Sequence, residues 1–171
     1  MTEAIVYTSK TGHTRRYAEL LAQETGLPAY SLQEAPKALA GKDVIYLGWL
    51  MAGGIKGYQA AAKTYRVRAL CQVGMRPPEA ALIEKAREAY QLPAETPVFH
   101  LQGGFDIADI HGPFRLVMKA VCKKIQEDLG NKADRTPGEE ATLRMATTGY
   151  DAVSAENLAG VLAWYRKAAN P

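Results

Sequence analysis

The chain has 171 residues, 47% of them hydrophobic, which suits one globular domain with a sizeable core and argues against a disordered chain. The net charge of +3 comes from basic residues interleaved with acids, so composition points to no nucleic-acid surface. Two cysteines, Cys71 and Cys122, are too few for a disulfide scaffold and lack metal-ligand spacing.

Glu3–Thr8 reads as the first strand, and it leads in directly without the pattern of a secretory signal. His13–Thr25 is a helix with Ala18, Leu21 and Ala22 at core spacing, stopped by Gly26-Leu27-Pro28. Ala29–Leu32 is a short second strand. Asp43–Gly48 is a continuous apolar run, the mark of a strand buried on both faces. A glycine-rich loop follows, then a short helix at Tyr58–Thr64, a strand at Val67–Val73 and a helix at Pro78–Tyr90. Pro97–Leu101 is a fifth strand, closed by Gln102-Gly103-Gly104.

Gly112–Leu129 is a longer helix with Phe114, Val117, Met118, Val121, Cys122, Ile125 and Leu129 at helical spacing, and with Arg115, Lys119 and Lys123 on another face. The spacing predicts that this stripe packs on the body of the domain and that the lysines are solvated. Docking of the same face on an anionic membrane surface is the sharper alternative. The stretch from Asn131 to Gly149 is polar, with a short helix near Glu139–Met145. Ser154 is placed to cap a final helix reaching Lys167. No apolar run approaches the roughly 18 residues of a membrane span.

Five strands alternating with helices indicate a doubly wound parallel α/β sheet. No linker, repeat or low-complexity tract divides the chain, so residues 1–171 are expected to form a single domain, with a helical insertion at about 107–150. Both cysteines are read as reduced core thiols of a cytoplasmic protein.

The segment after the first strand carries the chemistry. Ser9, Thr11 and Thr14 supply hydroxyls, and Gly12 lets a bound group approach the backbone. The amides from Thr11 to Arg16 would be the open donors of a new helix. Open donors and the positive end of the helix dipole aimed at one spot make an anion site. One capping threonine explains less, because three hydroxyls surround the glycine. Neither a Walker A ending nor the dinucleotide glycine pattern is present, which favours a mononucleotide-type phosphate.

Ser9-Lys10-Thr11-Gly12-His13-Thr14 resembles the Ser/Thr-x-Thr-Gly-x-Thr phosphate loop of the flavodoxin superfamily, at every defined position and in the same place after the first strand. The likeness runs from Glu3 to about Lys124. In detail the chain looks most like flavodoxin-domain proteins related to menaquinone-dependent protoporphyrinogen dehydrogenases. These also carry a helical segment before the last helix and a loop like Gly48-Trp49-Leu50-Met51-Ala52-Gly53-Gly54-Ile55. The resemblance implies a three-layer fold with strand order 2-1-3-4-5 and FMN at the switch point between the first and third strands. It implies that Ser9–Thr14 hold the phosphate. Trp49–Gly57 would then cover one side of the isoalloxazine, and Gly103–Asp106 the other, including Gly104 and Phe105.

Reduction adds a proton at flavin N5, so a nearby peptide must offer an acceptor. Gly53 and Gly54 are placed for that, although two glycines also make an ordinary turn. Trp49 is open to two readings, ring stacking and core packing. Lys56 is a candidate to balance an anionic reduced ring. By resemblance soluble electron carriers are strongly acidic, and this mildly basic chain is closer to a reductase or dehydrogenase. The implied function is an FMN-dependent oxidoreductase or electron-transfer protein acting on a quinone, a porphyrinogen or a redox partner protein. The alternative is a flavodoxin-like binding protein with weak or lost flavin chemistry.

His13, His100 and His111 have no cysteine or carboxylate at ligand spacing, which argues against zinc. His100, in a strand, reads as a core histidine, and His111 as a weak candidate for touching a flavin substrate. The absence of a Gly-x-Ser-x-Gly elbow removes the hydrolase reading.

Overall fold

The structure is a computed structural model that describes residues 1–169. The chain divides into two compact units. One comprises Met1–Gly103 with the segment from Val153 onward, and the other Gly104–Ala152.

The larger unit is a parallel sheet with helices on both faces. Strands β1 (Ala4–Thr8), β2 (Ala29–Ser31) and β3 (Asp43–Met51) come first, with β4 (Gly54–Ile55) folding back on β3. Strands β5 (Arg66–Gly74) and β6 (Val98–Gln102) complete it. The order is β2-β1-β3-β5-β6, which is the expected 2-1-3-4-5 once the small antiparallel β4 is set aside. The protein therefore has the flavodoxin-like, three-layer, doubly wound arrangement.

Alternation along the strands sorts the side chains between the layers. Ile5, Ile45, Leu47, Cys71 and Leu101 pack under helices α1 (His13–Thr25) and, near the chain end, Ala159–Ala169. Val6, Val44, Tyr46, Leu70 and Val98 face α2 (Tyr58–Thr64) and α3 (Ala80–Tyr90). Burial pushes the Cys71 thiol up, so it stays protonated as a core residue.

β3 runs three residues beyond the apolar run that predicts it. The reason is the hairpin. Lys56 N–H donates to the Trp49 carbonyl, and Ile55 packs over Gly48, where a Cβ would lie 2.5 Å from Ile55 Cγ2. The turn residues Ala52 and Gly53 both have positive φ, 50° and 79°, as a two-residue type I′ hairpin requires.

The smaller unit holds α4 (Pro113–Gly130) and α5 (Pro137–Thr148). A two-residue ladder pairs β7 (Gly104–Phe105) with β8 (Tyr150–Asp151). α5 is longer than the sequence suggests because Thr136 and Glu139 form a reciprocal capping box with Pro137 at the first turn. Phe105, Ile110, Cys122 and Ala146 form the unit's core, with Met118, Ile125 and Met145 against them. The α4 stripe is thus split. Cys122, Met118 and Ile125 are covered, whereas Phe114, Val117 and Val121 are exposed, since the face covered by α5 and its neighbours is narrower than the apolar stripe.

The final helix, α6 (Ala159–Ala169), is preceded by a 3-10 turn at Glu156–Leu158. Ser154 hydrogen-bonds the Glu156 carboxylate, ahead of that turn. Among the described residues, no helix is long and apolar enough to cross a membrane.

Candidate functional site

Parallel strands all end at the same edge, so the segments leaving β1, β3, β5 and β6 emerge together. The crossover direction reverses between β1 and β3, and ligands of doubly wound sheets bind outside the carboxyl ends at that point.

The segment leaving β1 is built as a donor cluster. Gly12 takes the N-cap position of α1 with φ 94°, a left-handed conformation that side chains resist, and nothing stands within 4 Å of where its Cβ would be. No side chain caps the helix, so the threonine-cap alternative does not hold. Instead Gly12 N–H donates to Ser9 Oγ at 3.2 Å, and Thr11 Oγ1 lies 2.9 Å from His13 Nδ1. The first helical bond runs from Arg16 N–H to the Gly12 carbonyl, at 2.9 Å. The amides of His13, Thr14 and Arg15 therefore precede the helical ladder. His13 and Thr14 are buried and Lys10 is exposed; Lys10, Arg15 and Arg16 are basic, and Arg15 pairs with Glu19 at 3.4 Å.

Beneath this cluster the sheet is held by a polar post. The Tyr46 hydroxyl lies 2.7 Å from the Lys56 carbonyl and 2.7 Å from Thr8 Oγ1. A carbonyl only accepts, so the tyrosine proton goes to Lys56 and the threonine hydroxyl can complete the set. Burial pushes the Tyr46 phenol up to about 12. Gly57, with φ 80°, begins α2 directly against both hydroxyls, and a Cβ there would collide with each. Tyr90 at the end of α3 accepts from Ile55 N–H at 2.6 Å and meets the Tyr58 ring edge-on at 4.8 Å. The β3–β4 hairpin is thereby tied to the body at Ile55 and Lys56, where β4 ends.

Trp49 and Leu50 lie in β3 and are half-buried, whereas Met51, Ala52 and Gly53 are exposed at the tip and Gly54 begins β4. The segment read as a glycine-rich loop is therefore a hairpin.

The segment after β6 divides between the two units. Gly103 remains in the sheet unit. It donates to the Gly74 carbonyl at 2.7 Å, and a Cβ on it would lie 3.5 Å from His13 Cβ. Gly104 and Phe105 enter the β7–β8 ladder of the smaller unit, where Phe105 is buried in the core. Its ring is committed to packing.

Topology points to a segment that sequence reading passed over. β5 is the direct neighbour of β3, while β6 lies one strand, about 4.8 Å, further from the switch point. The segment leaving β5 is Met75-Arg76-Pro77-Pro78-Glu79. Met75 is 44% exposed and Met51 39%, so two apolar side chains stand in solvent on the segments leaving neighbouring strands. The Arg76 guanidinium donates to both Glu79 carboxylate oxygens at 2.8 Å. The signal available in the sequence was a buried strand ending in Gly74 followed by two prolines.

His100 belongs to the larger unit and His111 to the smaller. His100 is buried in β6, and His111 is exposed in the smaller unit. Among the described residues no group of His, Cys, Asp and Glu is arranged to hold a metal ion. A cavity of about 150 Å³ lies at the amino ends of the strands, lined by Met1, Asp43, Arg68 and Trp164 among others. Its carboxylate Asp43 is already engaged by Arg66 at 2.6 Å.

No protein-family model, no curated protein and no solved structure matches this chain. Function has to be read from the residues at the sheet edge.

Proposed function

We propose that this chain is an FMN-binding, flavodoxin-like oxidoreductase or electron-transfer protein, exchanging electrons with a quinone, a porphyrinogen or a protein redox partner. The observation that carries the reading is the start of α1. There a left-handed Gly12 leaves an unfilled cradle beside the switch point, ringed by hydroxyls, amides and basic side chains. That donor set suits a phosphate dianion. The apolar Met51 and Met75 on neighbouring segments suit a flat, largely apolar ring.

In this reading Ser9, Thr11, Thr14 and the amides of His13 to Arg15 bind the phosphate, and Lys10 adds charge. Leu50, Met51 and the hairpin tip contact one side of the ring, and Met75 takes the part that the resemblance gives to Phe105. Bound FMN supplies reversible one- or two-electron transfer. The exposed Ala52 and Gly53 peptides offer acceptors for a ring N–H, and Lys56 offers a positive charge.

A second reading, a flavodoxin-like binding protein without flavin turnover, is favoured by the lack of a fully exposed aromatic on either ring-side segment. Titration with FMN separates the two. Quenched flavin fluorescence with a perturbed blue absorbance band, and reversible reduction of the bound flavin, are the expected results. Binding without reversible reduction favours the second reading. Saturating FMN with neither a spectral change nor heat of binding removes the flavin from both.

A further inference from the structure

The segment leaving β5 is tied internally by the Arg76–Glu79 ion pair, and two of its backbone carbonyls take donors from a neighbouring strand. Pro77 and Pro78 have no amide proton, so the backbone between Arg76 and Glu79 offers no donor to neighbouring carbonyls. The donors come from β6. His100 Nε2 lies 2.9 Å from the Arg76 carbonyl oxygen, and Gln102 Nε2 lies 3.3 Å from the Met75 carbonyl oxygen. A carbonyl only accepts, so His100 carries its proton on Nε2 and leaves Nδ1 bare. That Nδ1 is buried without a hydrogen-bond partner, in a residue only 6% exposed. The ring packs beside Gly74, where an added Cβ would lie 3.0 Å from His100 Cε1 and 2.9 Å from Leu50 Cδ1.

We infer that His100 is a positioning residue, a proton-sensitive latch that sets the Met75–Glu79 segment beside the switch point. The neutral ring fits its site. A second proton would place a charge and an N–H at a buried position where Nδ1 has no partner, and the ring would have to swing out to water, taking its donor from Arg76. Burial holds the imidazole below its ordinary value, opposed by the bond to Arg76 and by Glu79, while the Arg76 charge acts with burial. Gln72 and Gly74 of β5 and Leu50 of β3 face the ring without charge. Acid therefore releases the segment.

The latch itself does not depend on a cofactor; its effect on a flavin rests on the function proposed above. The test is a pH titration of the apoprotein by NMR, following the His100 ring and the amides of Gly74, Met75, Arg76 and Glu79. Those amides are expected to shift with the His100 midpoint, below pH 6.5. His100→Gln, which keeps a donor near the Nε2 position, should retain the parental amide positions at pH 7 and lose the acid transition. His100→Leu should displace the amides at pH 7 and speed their exchange about tenfold. Parental positions in His100→Leu, or an acid transition surviving in His100→Gln, overturn the latch. Should His100→Leu not fold, the His100→Gln titration alone decides.

With FMN added, flavin circular dichroism should change in His100→Leu and return in His100→Gln. An unchanged signal in His100→Leu would remove the latch from flavin function. Failure of the parent to bind FMN would sink the flavin reading and leave the apoprotein titration standing.

Discussion

The Tyr46 hydroxyl stands 2.7 Å from Thr8 Oγ1, joining β3 to the last residue of β1 at the point where the sheet reverses its winding. Its proton is committed to the Lys56 carbonyl, so one phenol fixes both the hairpin and the start of the hydroxyl loop. Tyr46→Phe removes the donor to that carbonyl and should cost about 0.5–1.5 kcal/mol in urea denaturation. The pH dependence follows from the same group. Its folded value of about 12 exceeds the ordinary 10, so between those values the folded state holds a proton that the unfolded state has lost. Stability should therefore fall as pH rises from 10 toward 12, and Tyr46→Phe should lack that component.

Gly57 tolerates no side chain. Positive φ strains any L-residue, and a Cβ would strike Tyr46 and Thr8, so Gly57→Ala should lose about 3 kcal/mol or more. Gly12→Ala meets open space and should lose only the backbone term, about 1–2 kcal/mol. Equal losses in thermal denaturation would contradict the difference.

Thr11→Val removes a hydroxyl from the proposed phosphate cradle. Loss of a hydrogen bond to a charged group, about 1.5–3 kcal/mol, should weaken FMN at least about tenfold while leaving riboflavin nearly unchanged. Calorimetry with both ligands checks it. Equal weakening would place the phosphate elsewhere.

The hairpin tip separates two neighbouring glycines. Gly53 has φ 79°, whereas a Cβ on Gly54 would meet nothing closer than 3.6 Å. Gly53→Val should shift the potentials of bound flavin and destabilise the turn, and Gly54→Val should match the parent in redox titration. Ala52 holds φ 50° without being glycine, so Ala52→Gly should raise stability by up to about 1 kcal/mol.

Within α4, Ile125→Ala should cost about 2 kcal/mol or more, because Ile125 packs on the Phe105 core, whereas exposed Val117→Ala should stay within about 0.5 kcal/mol.

Local patterns determined much of this protein. The apolar run from Val44 to Leu47 could only be a buried strand, and the helix from His13 to Thr25 was delimited by Gly12 and Gly26, because glycine alone takes the left-handed cap easily. Fold class and strand order followed from the alternation of elements and from the likeness of the hydroxyl loop. Those are short-range signals, and they survive in a single sequence.

Tertiary structure decided which segments stand beside the switch point. Sequence order makes Gly103–Asp106 an obvious third loop, yet in the sheet β5, which leads into Met75–Glu79, is the direct neighbour of β3. The resemblance put Phe105 on the ring side, whereas its side chain is buried with Ile110, Cys122 and Ala146, the last two distant along the chain. Trp49 to Met51 continue a strand because Ile55 folds over Gly48. His100 read as a core histidine, and burial agrees, but its hold on Arg76 depends on a strand pairing that spacing cannot reveal. Helix caps and buried runs are written in neighbouring residues. Partners across a sheet are chosen by the whole fold, because each strand must bury both faces at once.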